Sequence, residues 1–332
     1  MCLGKDLLVI EITFVWASRD DNYAGGAIVR LGQSIRNIQK HASRSGLNVE
    51  CLIVDWNPPV DGDLPLALAR MGVGGVRVVR VPAEAASVIT DMEKRPFVEY
   101  PAKNVGIVRA LGQQIAVVNS DVVLSRSAFL AIVNRPFLDA SFLRLDRTDF
   151  QVKKTIRLLP KFKVLTQIHH RHGDFESEPI ADTLTPLRFA PRGSKLLAGE
   201  SQVGAFIVGP PGGIPSHFLK GMHTNAAGDF IATSRMNWLA VGGFSEERWL
   251  SAMGDSLVVA RMVGSGLRQV ILPGVGHLMH QEHERQEGHG GKWSEDMWPE
   301  FRAEIMGVAT GPISGAPRRF GFQDIKLPEV HI

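Results

Sequence analysis

Across the first 150 residues, short apolar runs rich in β-formers alternate with segments whose apolar residues recur at helical spacing, and this limits the fold more than any other feature. Leu7–Ala17 is the first run. After Gly25-Gly26, the residues Ile28, Leu31, Ile35 and Ile38 fall on one helical face that stops near Gly46. Val49–Asp55 is a second run, closed by the turn chemistry of Asn57-Pro58-Pro59. Leu64–Met71 predicts a brief helix, Val76–Val81 a third strand, Ala102–Gly112 a helix and Gln114–Asn119 a fourth strand. Strands separated by helices favour a parallel sheet with right-handed crossovers. Such sheets bind ligands beyond the carboxyl ends of their strands. Ser18 to Asn22, Asp55 and Asp121 fall there.

From Asp149 to about Met222 the pattern weakens, with His169, His170, His172 and a Gly-Pro-Pro-Gly-Gly turn at Gly209–Gly213. This stretch reads as an inserted, irregular segment of extended pieces and loops. Periodicity returns with a strand at Asp229–Thr233, a short helix from Ser234, a turn at Gly242-Gly243, a helix at Asp255–Gly264 and a strand at Leu267–Leu272. Residues 286–332 read as an irregular tail.

Hydrophobic residues make up 44% and charged residues 21% of the 332, which excludes a disordered or fibrous chain. Net charge is +3 with Lys and Arg dispersed, so no basic stripe marks a nucleic-acid partner, while an anionic ligand is tolerated. Cys2 and Cys51 cannot make a disulfide framework and suit a reduced protein, with Cys51 buried in a strand. No apolar run reaches membrane-spanning length, and Leu7–Ala17 is interrupted by Glu11 and Thr13. The expectation is a cytoplasmic protein whose membrane contact, if any, is peripheral.

Asn119-Ser120-Asp121 ends the fourth strand. A carboxylate there can hold Mg²⁺ or Mn²⁺, which prefer oxygen ligands and bridge phosphates. It can equally cap the next helix, as can Ser125. Asp255 opens a helix, where it is either a first-turn acid or a general base for a hydroxyl. Asp229 and Glu246 sit in turns as candidate site acids or plain surface acids. His277, His280, His283 and His289 suggest zinc at face value, but no cysteine lies nearby and an exposed histidine-rich loop is the commoner case. Trp238 and Trp249 are candidates to stack a sugar ring, with core packing the better reading for Trp238.

Several pieces recur in a definite order: Asp21-Asn22-Tyr23, Val54-Asp55-Trp56-Asn57-Pro58-Pro59, Lys103-Asn104-Val105-Gly106, Asn119-Ser120-Asp121, Gly228-Asp229-Phe230, Gly243-Phe244-Ser245-Glu246 and Gly254-Asp255. No single piece is specific; the ordered set is. In that order the chain resembles GT-A glycosyltransferases, nearest to family-2-like enzymes and C-terminal galactosyltransferase-type domains, over residues 9–125 and 225–285. The resemblance implies an α/β fold of Rossmann-like, mostly parallel central sheet flanked by helices. It also implies one domain over 1–285, with a nucleotide-binding half 1–150, the insertion 150–222 and an acceptor half 223–285. The activity implied is transfer of a sugar from a nucleotide-diphosphate donor, a UDP-sugar, to a glycan, lipid-linked or small-molecule acceptor, with inversion and with Mn²⁺ or Mg²⁺.

Residue by residue, the resemblance implies that Ser18, Asp21 and Asn22 pass over the base and that Asp55 contacts base or ribose. Lys103, Asn104 and Arg109 are implied to reach uridine or the diphosphate. Asp121 is implied as the metal ligand, with Asn119 standing where a first acid is expected and so weakening donor contacts. His280, in Met279-His280-Gln281-Glu282, with His283 second, is implied to complete the metal shell. Asp255 is implied as the general base, Gly254 replacing the first acid of an expected pair, with Asp229 and Glu246 facing the sugars. Two other readings stay open. One is a degenerate sugar-nucleotide-binding or scaffold protein of polysaccharide assembly, which Asn119 and Gly254 favour. The other is a nucleotidyltransferase, against which Ser18-Arg19-Asp20-Asp21-Asn22 counts because it is not glycine-rich.

Overall fold

A computed structural model describes residues 10–23, 25–89, 95–133, 140–145, 147–152, 165–169, 188–190, 227–247, 254–272, 277–281, 298–310 and 319–332. The first half contains β1 (Ile12–Ser18), α1 (Ala27–Ser45), β2 (Val49–Trp56), α2 (Leu64–Arg70), β3 (Val76–Val81), α3 (Ala83–Ala86), α4 (Glu99–Arg109), β4 (Gln114–Val118), β5 (Val122–Leu124) and α5 (Arg126–Val133). Then come β6 (Ser141–Leu145), β7 (Arg147–Val152), β8 (Leu165–His169), β9 (Arg188–Ala190), a 3-10 turn (Ala227–Asp229), β10 (Phe230–Ser234) and α6 (Arg235–Val241). The last elements are α7 (Gly254–Gly264), β11 (Arg268–Leu272), β12 (Leu278–Gln281), α8 (Trp298–Thr310) and β13 (Glu329–His331).

A nine-stranded sheet runs β13-β3-β2-β1-β4-β10-β6-β11-β9. Its strands β3, β2, β1, β4, β6 and β11 point one way, and β13, β10 and β9 the other. The architecture is therefore α/β, a mostly parallel central sheet flanked by helices, as expected from the sequence. Strand alternation divides the core in two. Ile12, Phe14 and Trp16 face Leu31, Ile35 and Ile38 of α1 and Phe129 of α5. Val15 and Ala17 face the other way, toward Val105 of α4, Trp238 of α6 and Leu257 of α7. Full burial of one such side chain contributes about 1.5–3 kcal/mol, so two-sided packing rather than local propensity holds the centre. Gly106 lets α4 close on β1, because a Cβ there would lie 2.3 Å from Val15 Cγ1. Cys51 is buried in β2, and burial pushes its thiol up to about 12.

At the amino ends of the strands a buried polar cluster ties the sheet together. Glu50 accepts from Thr13 Oγ1 at 2.6 Å, Leu111 N at 2.8 Å and Arg77 Nη2 at 2.6 Å. Arg77 also reaches Glu329 at 3.2 Å, which fixes β13 against β3. A buried pair is stabilising only when its remaining hydrogen bonds are satisfied, as they are for Glu50.

The expectation of an irregular tail over 286–332 is corrected. Helix α8 buries Phe301 and Ile305, one turn apart, in the face formed by α4 and α7, and β13 adds an antiparallel edge to β3. The middle segment contributes β7 and β8 to a second sheet, β5-β12-β7-β8, and β9 to the edge of the first. Among the described residues, no helix is long and apolar enough to cross a membrane.

Candidate active site

The carboxyl ends of β1, β2 and β4 meet the start of β10, and there the chain gathers its polar residues. Asp121 follows β4, and β12 returns antiparallel to β5 with His280 opposite Val122. This pairing brings His280 Nε2 to 3.3 Å from Asp121 Oδ2, and the Gln281 amide donates to Asp121 O at 2.7 Å. Arg30 of α1 stands near Asp121 and donates to Gly25 O at 2.5 Å and Tyr23 O at 2.8 Å, pinning the loop after β1. Burial lowers the Arg30 pKa, and the Asp121 charge opposes that. A divalent ion bonds oxygen and nitrogen donors at about 2.0–2.2 Å, so two donors at this separation fit as part of one shell. Among the described residues, no three His, Cys, Asp or Glu side chains form a metal-holding group. His283, His289 and Trp249 lie outside the described residues.

Behind Asp121 runs a bonded framework. Asn119 Oδ1 accepts from Lys103 Nζ at 2.5 Å, and Asn119 Nδ2 donates to Asp229 Oδ1 at 2.7 Å. Lys103 also donates to Glu99 and to Gly228 O at 2.7 Å. The Gly228 amide donates to Asp255 Oδ2 at 2.9 Å, and the Ser256 amide to Asp255 Oδ1 at 2.8 Å. Burial raises the carboxyl of Asp255, against the two amide bonds and the Arg144 charge that lower it. Burial likewise raises Glu99, against the neighbouring Lys103 ammonium.

Asp55, expected at a base or ribose, lies near the end of β2 with its place in the register between Ser18 and Arg80. Both its oxygens are buried with no hydrogen-bond partner, and Arg80 Nε pairs with it at 3.3 Å. Burial raises its carboxyl to about 6, the Arg80 charge opposing and Asp20 and Asp63 adding. Ser18 is buried at the end of β1. Asp21 binds Arg19 at 2.8 Å and the Tyr23 amide at 3.2 Å. Asn22, in the left-handed region at φ 53, accepts from the Gly26 amide at 2.7 Å. These last two shape the loop.

Three expected site residues are placed otherwise. Arg109 sits at the far end of α4, where its guanidinium donates to Gly321 O, Phe322 O and Ile325 O, each at 2.7 Å. Asn104 donates to Phe244 O at 3.0 Å and Glu246 Oε1 at 2.8 Å, and accepts from the Phe244 amide at 2.8 Å. Glu246 Oε1 also accepts from the Gly321 amide at 2.8 Å. Asn104 and Glu246 therefore clamp α4, the turn after α6 and the C-terminal segment together. Lys103 stands at the site, yet its ammonium is turned inward onto three acceptors rather than toward a diphosphate. Trp238 is core, its Nε1 donating to Ile115 O at 3.2 Å. The sequence reading missed Glu99, Arg30, Arg80 and Arg144. Only Glu99 carried a local signal, its spacing of four from Lys103 on one helix.

No family model matches the chain, and no curated protein matches it. Among solved structures it is similar to S. aureus TarS, with a TM-score of 0.46 and 12% identity over 82% of this chain and 37% of that one. Against TarS 1–349 the values are 0.46 and 12%, over 90% and 71%. Against TarS 1–349 in complex with UDP-GlcNAc they are 0.49 and 11%, over 92% and 68%. The chain thus spans little more than a third of the full TarS chain it matches, 37%.

Proposed function

We propose that this chain is a glycosyltransferase that moves a sugar from a nucleotide-diphosphate donor, a UDP-sugar in the first instance, to a hydroxyl acceptor with inversion. The observation that carries the reading is the meeting of Asp121 and His280 at 3.3 Å, at the carboxyl end of the central parallel sheet. Residues so distant in sequence converge on a donor pair suited to Mn²⁺ or Mg²⁺. When bound, such an ion would neutralise charge on the diphosphate leaving group.

The chain's own residues supply the rest. Asp55, whose Oδ2 pairs with Arg80, would turn its buried carboxylate to the N–H or O–H donors of a base or ribose. Asp255 is the base. Each of its oxygens already accepts one amide and keeps a second lone pair for an acceptor hydroxyl. Burial that raises its carboxyl makes it a better proton acceptor than an exposed aspartate. The acceptor oxygen bonds to the anomeric carbon while Asp255 takes its proton, and the bond to the diphosphate breaks with the electron pair leaving on phosphate oxygen. A single displacement inverts the anomeric centre.

The experiment is a UDP-release assay with Mn²⁺ over a panel of UDP-sugars, run beside Asp255→Asn. Release by the unsubstituted chain and its loss in the variant support the reading. Binding of UDP with no release from any donor would favour a sugar-nucleotide-binding scaffold, the second reading that Asn119 and Gly254 keep open.

A further inference from the structure

A lysine ammonium only donates hydrogen bonds and an ionised carboxylate only accepts them. Asn119 stands between one of each. Its Oδ1 takes Lys103 Nζ at 2.5 Å and its Nδ2 serves Asp229 Oδ1 at 2.7 Å. Flipping the amide would set NH₂ against an ammonium and oxygen against a carboxylate, so the two neighbours fix its orientation. Lys103 is fully buried, and its other bonds, to Glu99 and Gly228 O, hold it in place. The backbone reinforces the match, with Asn119 N donating to Asp229 O at 3.0 Å. Space is also tight, because a Cβ on Gly228 would lie 3.1 Å from Tyr100 Oη and 3.5 Å from Asp255 Oδ2.

We propose that Asn119 is a positioning residue, an amide adaptor that holds the Asp229 carboxylate and the 227–229 turn in register with Asp255, and not a ligand of the donor. The proposal rests on the transferase reading above. A carboxylate at 119 would satisfy Lys103 but would oppose Asp229 across 2.7 Å, so the amide at this position is matched to its partner and is not a lost acid. Asp229 in turn presents the Gly228 amide to Asp255, so a tilt at 119 is passed to the base.

The test compares Asn119→Asp with the reciprocal pair Asn119→Asp/Asp229→Asn, reading Tm, the Kd for UDP with Mn²⁺, and kcat and donor KM. Asn119→Asp lowers Tm and cuts kcat on the order of 100-fold, the scale of a small misplacement at a reacting centre, with Kd and KM within about threefold. The reciprocal pair restores one amide facing one carboxylate, so Tm and kcat both return toward those of the unsubstituted chain. Unchanged Tm and kcat in Asn119→Asp would overturn the proposal, as would UDP affinity falling in step with kcat, which would make Asn119 a donor ligand. A reciprocal pair that recovers neither Tm nor kcat would overturn it as well. Failure of the transferase reading shows separately, as absence of turnover by the unsubstituted chain; the Tm series still decides the adaptor.

Discussion

At the residue scale the carboxyl groups separate by environment. Asp55 has a carboxyl raised by burial from its ordinary 3.8 to about 6, which corresponds to about 3 kcal/mol of disfavoured charge. Because the folded value lies above the unfolded one, the protonated form stabilises the fold at low pH. Stability is lost as pH rises from about 4 through about 6, then levels. Asp55→Asn removes that loss. Chemical denaturation should find the variant more stable than the unsubstituted chain at pH 7.5 by up to about 3 kcal/mol and equal near pH 4. The same variant should bind UDP at least tenfold more weakly by calorimetry, a stability gain coupled to a functional loss. Equal stability at both pH values would show that Asp55 carries no buried charge. For Asp255, replacement by Asn removes the proposed base and leaves one oxygen in place of the two that accept the Gly228 and Ser256 amides, so one of these bonds is lost with it. The expected result is a kcat loss of about 10²–10⁴ with Tm within a few degrees. A large fall in Tm would instead mark Asp255 as a structural acid.

At the element scale, strands and helices with strong periodicity were legible. The apolar spacing of α1, the runs of β1 to β4 and the capping Ser234 before α6 appear where the sequence predicts them. Elements that owe their form to distant partners were not. β12 lies in what read as a histidine-rich loop and forms because β5 and β7 flank it. The C-terminal segment is ordered by Arg109, Glu246 and Arg77, none of them local to it. Arg109→Ala leaves three carbonyls without this donor and should cost about 2 kcal/mol, with UDP affinity within twofold. A tenfold loss of UDP binding at unchanged stability would return Arg109 to the donor site. Gly243 has φ +62, and a Cβ there would lie 2.3 Å from Asn104 Oδ1 and 2.6 Å from Phe320. Gly243→Ala should therefore destabilise by about 3 kcal/mol, adding backbone strain to overpacking, which a denaturant titration measures.

At the scale of the whole molecule, the site is assembled from opposite ends of the chain onto one edge of a parallel sheet. The rule that ligands sit beyond strand carboxyl ends made Asp55 and Asp121 visible, because it needs only strand boundaries. The inward turn of Lys103 and the clamp made by Asn104 and Glu246 were invisible, because a polar side chain's direction depends on acceptors brought in from residues 228, 244 and 321. Sequence order ranks residues by type; only packing says which of them face a ligand and which face each other.

The proposed transferase chemistry stands on a metal-assisted nucleotide site at Asp121 and His280. Calorimetric titration of the full chain with UDP, with and without Mn²⁺ and repeated on Asp121→Ala, tests it most directly. UDP should bind at least tenfold more tightly with Mn²⁺, and Asp121→Ala should abolish that enhancement. Affinity that is the same with and without Mn²⁺, or an enhancement that survives Asp121→Ala, would contradict it.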